Sequence, residues 1–406
     1  MNTTSSQAAN PIDRMSVYLC AGLASSSGAL VFLALPFIVS ALQVARGYSE
    51  SQLGDATASF FFGIAIFALT CGWWVRRFNW RVLTAIGLVL GGASQLAILA
   101  TDSFPVLIFL LALSGGGAGI VTCVTLTLFG DSDTPDRAFG INLAVQTIPG
   151  VVVLFVLPHF LTGTASDLPW VLGVLGVFTL LLLVTLPGVP TVGTRTPEPF
   201  SLRELVDRQS IKPACGLLAT FAVQFGITMP YIFLEQEAAS RGFGAVDIGM
   251  AISIGMVLVA VGSFIAGLVA DRFGYSVPVA AGALVSVLGI NVIVEAHTLP
   301  MFYLGVALFL LPANYLIAYT LGLTGNVDSK GHMTGFGTVS IFAAPIFAAT
   351  IAGRMHEGSG YASTAWIGAS SLVLAACIHI GLAMSVRHRE ATLSSVIGSE
   401  PTTSGT

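Results

Sequence analysis

Residues 267–274 read Gly267-Leu268-Val269-Ala270-Asp271-Arg272-Phe273-Gly274, a short charged stretch between two long apolar runs near 246–270 and 277–296. Two helices that turn back at a membrane surface need such a break. Glycines let backbones approach closely, and fixed charges cannot enter lipid. A diluted copy, Gly72-Trp73-Trp74-Val75-Arg76-Arg77-Phe78-Asn79, stands 195 residues earlier. The same offset pairs Arg46 with Arg241, Gly47 with Gly242, Gly54 with Gly249, Pro105 with Pro300 and Asp133 with Asp328. With the register moved by one, Pro36-Phe37-Ile38 matches Pro230-Tyr231-Ile232. Glycine matches alone would be weak between apolar helices, but Arg, Asp and Pro matches in one register are not. The chain reads as two copies of one unit.

Charged residues are 9% of the 406 and hydrophobic ones 55%, against about 25% charged in a soluble domain. So few charges cannot cover a water-soluble globule of this size, and the class is a polytopic membrane protein. Apolar runs long enough to cross a bilayer as helices fall near 16–42, 52–74, 80–100, 104–129, 138–162 and 168–187, then 213–235, 246–270, 277–296, 299–323, 333–353 and 362–386. The predicted fold is all-α, with twelve transmembrane helices in two six-helix bundles. Six helices per copy preserve orientation, so the repeat is parallel. The expected organisation is a tail (1–15), a bundle (16–187), a linker (188–212), a second bundle (213–386) and a second tail (387–406). Within the linker, Ser201-Leu202-Arg203-Glu204 resembles a capping box that opens a short amphipathic helix. It reads equally as a membrane-surface helix or a tether. Of the sixteen Lys and Arg, all but Arg46, Arg241 and Arg354 fall on one face. That bias predicts cytoplasmic termini.

The opening stretch matches every fixed position of Gly-x-x-x-Asp-Arg-x-Gly, the loop motif of the major facilitator superfamily, which the chain resembles over about 16–386. The resemblance implies two bundles flanking a central cavity that opens alternately to each side. The cavity would be lined chiefly by 16–42, 104–129, 213–235 and 299–323. It also implies a gate at the motif residues Gly267, Asp271, Arg272 and Gly274. Asp271 would face the start of 138–162, where unpaired N–H groups favour an anion. Arg76, Arg77, Asp131 or Asp133, and Arg137 would complete a charge cluster there. The first copy departs from the pattern: Arg76 stands at the motif's Asp and Asn79 at its last Gly. The fourth helix also lacks the arginine of many drug/proton antiporters.

Four residues of 213–235, Gln224, Thr228, Tyr231 and Glu235, are spaced 4, 3 and 4 and share one helical face. A polar stripe in a membrane must face protein or water. It is either a cavity wall or a hydrogen-bonded seam. Asn314, Tyr315 and Tyr319 repeat the idea, and Asn142 and Gln146 join them as cavity candidates. Thr122 and Thr125 are weaker, because such hydroxyls usually bond their own backbone. Pro36 and Pro312 are expected to bend their helices. Ionisable residues within spans are few. Asp55 and Glu235 are the candidates for proton coupling, while His379 reads as packing. No Lys or Arg is expected in the cavity, which disfavours multiply anionic solutes. Phe- and Tyr-bearing walls suit a small apolar, aromatic or weakly acidic one.

The expected function is secondary active transport of such a solute across the cell inner membrane by alternating access, as a proton symport, by a monomer in lipid. Drug or metabolite efflux by antiport is the alternative. A membrane enzyme or sensor would need a catalytic or metal cluster. The five cysteines stand singly, and no metal, cofactor or nucleic-acid partner is expected.

Overall fold

The computed structural model describes residues 10–194, 211–328 and 336–397, without the side chains of 136, 267–273 and 387–397. The expected linker helix at 201–204 therefore lies outside the described residues. So do the side chains of Asp271 and Arg272.

The amino-terminal half contains α1 (Met15–Leu33), α2 (Leu35–Arg46), α3 (Glu50–Trp74), α4 (Trp80–Ile98), α5 (Phe104–Gly130), α6 (Pro135–Val156) and α7 (Asp167–Leu181). The other half contains α8 (Ile211–Tyr231), α9 (Leu234–Ser240), α10 (Ala245–Phe273), α11 (Ser276–Val294), α12 (Leu299–Leu310), α13 (Ala313–Val327), α14 (Gly337–Ser359) and α15 (Tyr361–Ile397). Among the described residues, twelve helices are long and apolar enough to cross a membrane. With an even number of spans, α1 begins and the last span ends at one face, called here the terminal face, and the opposite side is the far face. Large apolar side chains such as Phe62, Leu69, Phe109 and Phe264 point outward, where lipid replaces water as the solvent.

Three spans are divided between two α-helices, and in two of them a proline stands at the start of the second segment. Pro36 has no N–H for the carbonyl one turn back, so the ladder opens at Ala34 and α2 begins there. Pro312 stands between α12 and α13. The 213–235 run is likewise two helices, since α8 ends one residue after Pro230 and Glu235 belongs to α9. The 4-3-4 stripe therefore does not continue on one face as far as Glu235. Two other boundaries also differ from the sequence reading. The eleventh span continues to Ser359 rather than ending near 353, and α15 remains helical beyond 386 to Ile397.

The duplication appears in contacts as well as in composition. Gly47 and Gly242 both adopt left-handed φ, 64° and 86°, and each follows the helix that closes the first span of its half. The arginine before each glycine turns to the end of the third span. Arg46 donates to the Ile98 carbonyl at 2.8 Å, and Arg241 donates to the Ile293 carbonyl at 2.7 Å. Ile98 and Ile293 are themselves one repeat apart. Helix C-termini leave carbonyls unpaired and carry partial negative charge, so a cation there holds the first and third spans together.

Gly54 and Gly249 mark where the halves meet at the far face. A Cβ on Gly54 would come within 2.4 Å of the Ala349 carbonyl, and one on Gly249 within 2.8 Å of the Leu154 carbonyl. Ala349 and Leu154 again differ by the repeat length. Thus α3 crosses α14, and α10 crosses α6, in related close contacts. Gly115 allows the same approach of α5 to the Phe60 backbone within the first half. This matches close packing rather than a phosphate cradle.

Candidate functional site

A cavity of about 610 Å³ lies between the halves, within the size range of small-molecule sites. Its amino-terminal wall carries Ser25, Phe32, Phe61, Thr122, Asn142 and Gln146. The opposite wall carries Gln224, Asn314, Thr338 and Phe342. Thr338 lies in the first turn of α14 and Phe139 in the second turn of α6, so the lining reaches the terminal face. No Asp, Glu, Lys, Arg or His is among the described lining residues.

The two walls treat their polar groups differently. The Ser25 hydroxyl lies 2.6 Å from Gln146 Oε1 and 3.1 Å from Asn142 Oδ1, so α1 and α6 partly satisfy each other. Thr125 donates to the Val121 carbonyl and Ser263 to the Val259 carbonyl, each hydroxyl spent on its own helix. Gln224 is 6% exposed, yet its amide and that of Asn314 have no hydrogen-bond partner among the described residues.

Of the residues expected on the cavity wall, Gln224, Asn314, Asn142 and Gln146 line it. Thr228 is buried and donates to the Gln224 carbonyl. Tyr315 and Tyr319 pack on each other, their ring centroids 4.9 Å apart, with Tyr319 turned toward the Ala266 carbonyl on α10. Tyr231 forms the roof. It stacks on Phe32 at 5.7 Å, and its hydroxyl crosses between halves to the Leu33 carbonyl at 2.7 Å. Phe32 in turn meets Phe61 edge-on at 5.8 Å. The sequence stripes missed Phe32, Phe61 and Ser25, because single apolar or small residues carry no signal in an apolar helix.

Beyond the roof, the described polar contacts between halves gather at the far face. Arg354 donates to both carboxylate oxygens of Asp55, at 2.9 and 3.3 Å. The Ser51 N–H donates to Glu357, and Gln236 donates to Gln43. Glu235 is buried beside the Ser40 hydroxyl, with one carboxylate oxygen unpartnered. Neither Asp55 nor Glu235 lines the cavity. His379 is buried beside Tyr275, also away from it.

A second polar cluster fills the terminal-face corner of the amino-terminal half. Asp131, whose side chain is fully buried, takes two hydrogen bonds from Arg76 at 2.6 and 3.0 Å and one from the Thr194 N–H at 2.9 Å. Arg76, standing where the loop motif has Asp, thus reaches an acid at the end of α5. Asn10 donates to the Asp131 carbonyl and to Asp133, while Arg77 and Arg137 are exposed. Trp80 N–H donates to the Thr191 carbonyl, and Arg81 donates to the Pro187 and Val189 carbonyls. The first residues after the sixth span are therefore fastened to their own bundle.

Asp13 ties the amino terminus to this corner. Burial pushes its pKa up, but hydrogen bonds from Ser132, Tyr18 and the Asp133 N–H outweigh it and hold the carboxyl below its ordinary value. A depressed carboxylate pKa contributes stability that is present above the unfolded value and lost as pH falls through the folded one. The turn at Pro11–Asp13 should therefore detach only below about pH 4. In Asp13→Asn it should be loose at all pH values. Limited proteolysis of the amino-terminal segment across pH 3–7 reads this directly, and equal protection in variant and wild type would contradict it.

Twelve spans in two related bundles around a central cavity define a polytopic carrier. The sequence profile of the Major Facilitator Superfamily matches residues 17–214. A protein described as an MFS-type transporter from Aspergillus fumigatus is 23% identical over 366 residues, covering 82% of this chain and 83% of that one. Among solved structures, the nucleoside transporter NupG superposes with a TM-score of 0.71 at 11% identity, covering 91% of this chain and 99% of that one. A D-xylose-proton symporter gives 0.69 at 16% identity, covering 90% and 96%. A bacterial homologue of the human lysosomal transporter Spinster, solved inward-facing and occupied, gives 0.62 at 15% identity, covering 91% and 94%. The chain belongs to the major facilitator superfamily and is a transporter rather than an enzyme.

Proposed function

We propose that this transporter carries a small apolar, aromatic or weakly acidic solute across the cytoplasmic membrane by alternating access, coupled to protons, as a monomer. The observation that carries the reading is the cavity itself. It is a space of about 610 Å³ lined by four phenylalanines and four carboxamides, with no described ionisable side chain. Multiply charged solutes find no counter-charge among the described lining residues, whereas one ring with a polar end finds both kinds of wall.

The terminal face is cytoplasmic on the distribution of Lys and Arg. The described structure is then closed outside by the Asp55–Arg354 seam and the Tyr231 roof, and open inside. Gly267, Asp271, Arg272 and Gly274 belong to the gate on the inner side, with Arg76 and Asp131 anchoring the corresponding corner of the first half. Asp55 and Glu235 serve the outer seam rather than touching the solute.

Single cysteines at Asn314 and Gln224, in a background lacking the five native cysteines, test the reading. A membrane-impermeant thiol reagent should label both from the cytoplasmic side of oriented vesicles. A transported solute should slow that labelling at least several-fold. Failure to label from either side would remove the cavity from consideration. Counterflow in the same vesicles, with the pH gradient imposed in each direction, separates uptake from efflux.

A further inference from the structure

The absence of a described ionisable residue from the lining and the pair of unpartnered amides on one wall have a joint consequence. A carboxamide presents one acceptor and two donors in a plane. Its complement is a neutral group with an adjacent donor and acceptor. A protonated carboxyl fits, since its O–H donates to the amide oxygen while its C=O accepts from the amide nitrogen. A carboxylate fits less well, having no donor for the amide oxygens and no cation to meet among the described lining residues. Burying it against apolar walls without a counter-charge carries a large desolvation cost.

We infer that the solute binds as its neutral carboxylic acid, its carboxyl paired with Gln224 and Asn314, and that the coupling proton travels on the solute. This rests on the cavity reading proposed above and deepens it. The anion and one proton combine in the bulk phase, the neutral acid occupies the cavity, and both are released together on the other side. No protein group need change protonation in that cycle.

The described ionisable groups on the elements packed against α8 are otherwise engaged. Tyr319 turns to the Ala266 carbonyl and Tyr361 donates to the Pro230 carbonyl. Tyr315 packs on Tyr319, and His379 lies beside Tyr275. Arg354 pairs with Asp55, Glu357 accepts from Ser51, and His356 stacks on Phe233. On α8 itself, Lys212 is three turns from Gln224, roughly 18 Å along the axis. Asp55 and Glu235 remain at the outer seam. None of these groups lines the cavity, so none supplies a charge at the amide pair.

Benzoate and benzamide, alike in shape and differing in ionisation, are the probes. Binding to the purified full-length protein in detergent avoids passive leakage of the acid through lipid. Above the acid's pKa, the neutral fraction falls about tenfold per pH unit. The apparent Kd for total benzoate should therefore rise about a hundredfold from pH 5.5 to 7.5. Calorimetry in buffers of different ionisation enthalpy should show one proton taken up per benzoate bound. The benzamide Kd should not move. Gln224→Leu should weaken both probes at least tenfold, and Asn314→Leu gives a second reading should the first variant fold poorly. Glu235→Gln should keep the benzoate pH slope and proton uptake intact.

Benzoate affinity that is flat with pH, or proton uptake abolished by Glu235→Gln, would overturn the inference. So would failure of both probes to bind a protein whose Asn314→Cys form is labelled from the cytoplasmic side. The last result would leave the cavity reading standing. Absence of labelling would instead remove that reading.

Discussion

Transport should fall to background in Gly54→Leu, and the cavity should become reachable from outside instead of inside. Position 54 has no room on its far-face side. A Cβ would lie 2.4 Å from the Ala349 carbonyl and 3.0 Å from the Gly353 Cα, and both obstacles are backbone. Side chains can rotate away from an intruder, but packed helices must separate. Separation there pulls α3 from α14 and parts Asp55 from Arg354, 2.9 Å away across the same seam. When the far face is open, those helices are apart and a leucine has space. The substitution therefore penalises one state selectively, which is what shifts a two-state equilibrium. Reversing a 99:1 ratio takes about 5.5 kcal/mol. Overpacking against side chains typically costs about 1–3 kcal/mol, and a backbone collision costs more. Impermeant labelling of Asn314→Cys in the Gly54→Leu background checks it: the outer label should rise and the inner label fall. A monodisperse, thermally stable Gly54→Leu protein that transports at the wild-type rate would refute the account. Gly249→Leu should act in the same direction but more weakly, since its nearest obstacle is the Pro158 side chain and the Leu154 carbonyl is at 2.8 Å.

The duplication that places Gly54 and Gly249 was legible in the sequence because a helical span tolerates few Arg, Asp and Pro residues. The three arginines that broke the charge bias, Arg46, Arg241 and Arg354, each have a structural task. Two cap the third spans and one pairs with Asp55. The bias showed that they were exceptional, but not what they touch, because their partners lie 52 and 299 residues away. Polar periodicity pointed to Gln224, Asn314, Asn142 and Gln146, which line the cavity, and to Tyr315 and Tyr319, which are outside its lining; a tyrosine's apolar ring is as content between helices as beside a cavity. The same periodicity carried the α8 stripe through the break between Tyr231 and Leu234. Phe32 and Phe61 were invisible for the opposite reason, since roofing a cavity with phenylalanine leaves no mark among 26 of them.

Asp131→Asn should destabilise the protein by an amount out of proportion to so small a change. The wild-type carboxylate is fully buried and receives Arg76 bidentately together with the Thr194 N–H. Removing one member of a buried pair takes the counter-charge from the other, at about 3–5 kcal/mol. The Arg76 side chain keeps 22% of its exposure, so water relieves part of that and the lower end applies. An asparagine also turns one acceptor into a donor, which would face either Arg76 or the Thr194 N–H. The thermal midpoint should drop by several degrees, and protease should cut more readily just after Thr194, where the chain loses its anchor. The double variant Asp131→Asn/Arg76→Gln distinguishes charge pairing from loss of shape. With both charges gone the desolvation problem disappears, so it should be more stable than Asp131→Asn alone, with a coupling energy of about 1 kcal/mol or more. A double variant less stable than either single would show that Arg76 has its principal partner elsewhere. The departure from the loop motif would then need another explanation than the one given by Arg76 reaching the end of α5.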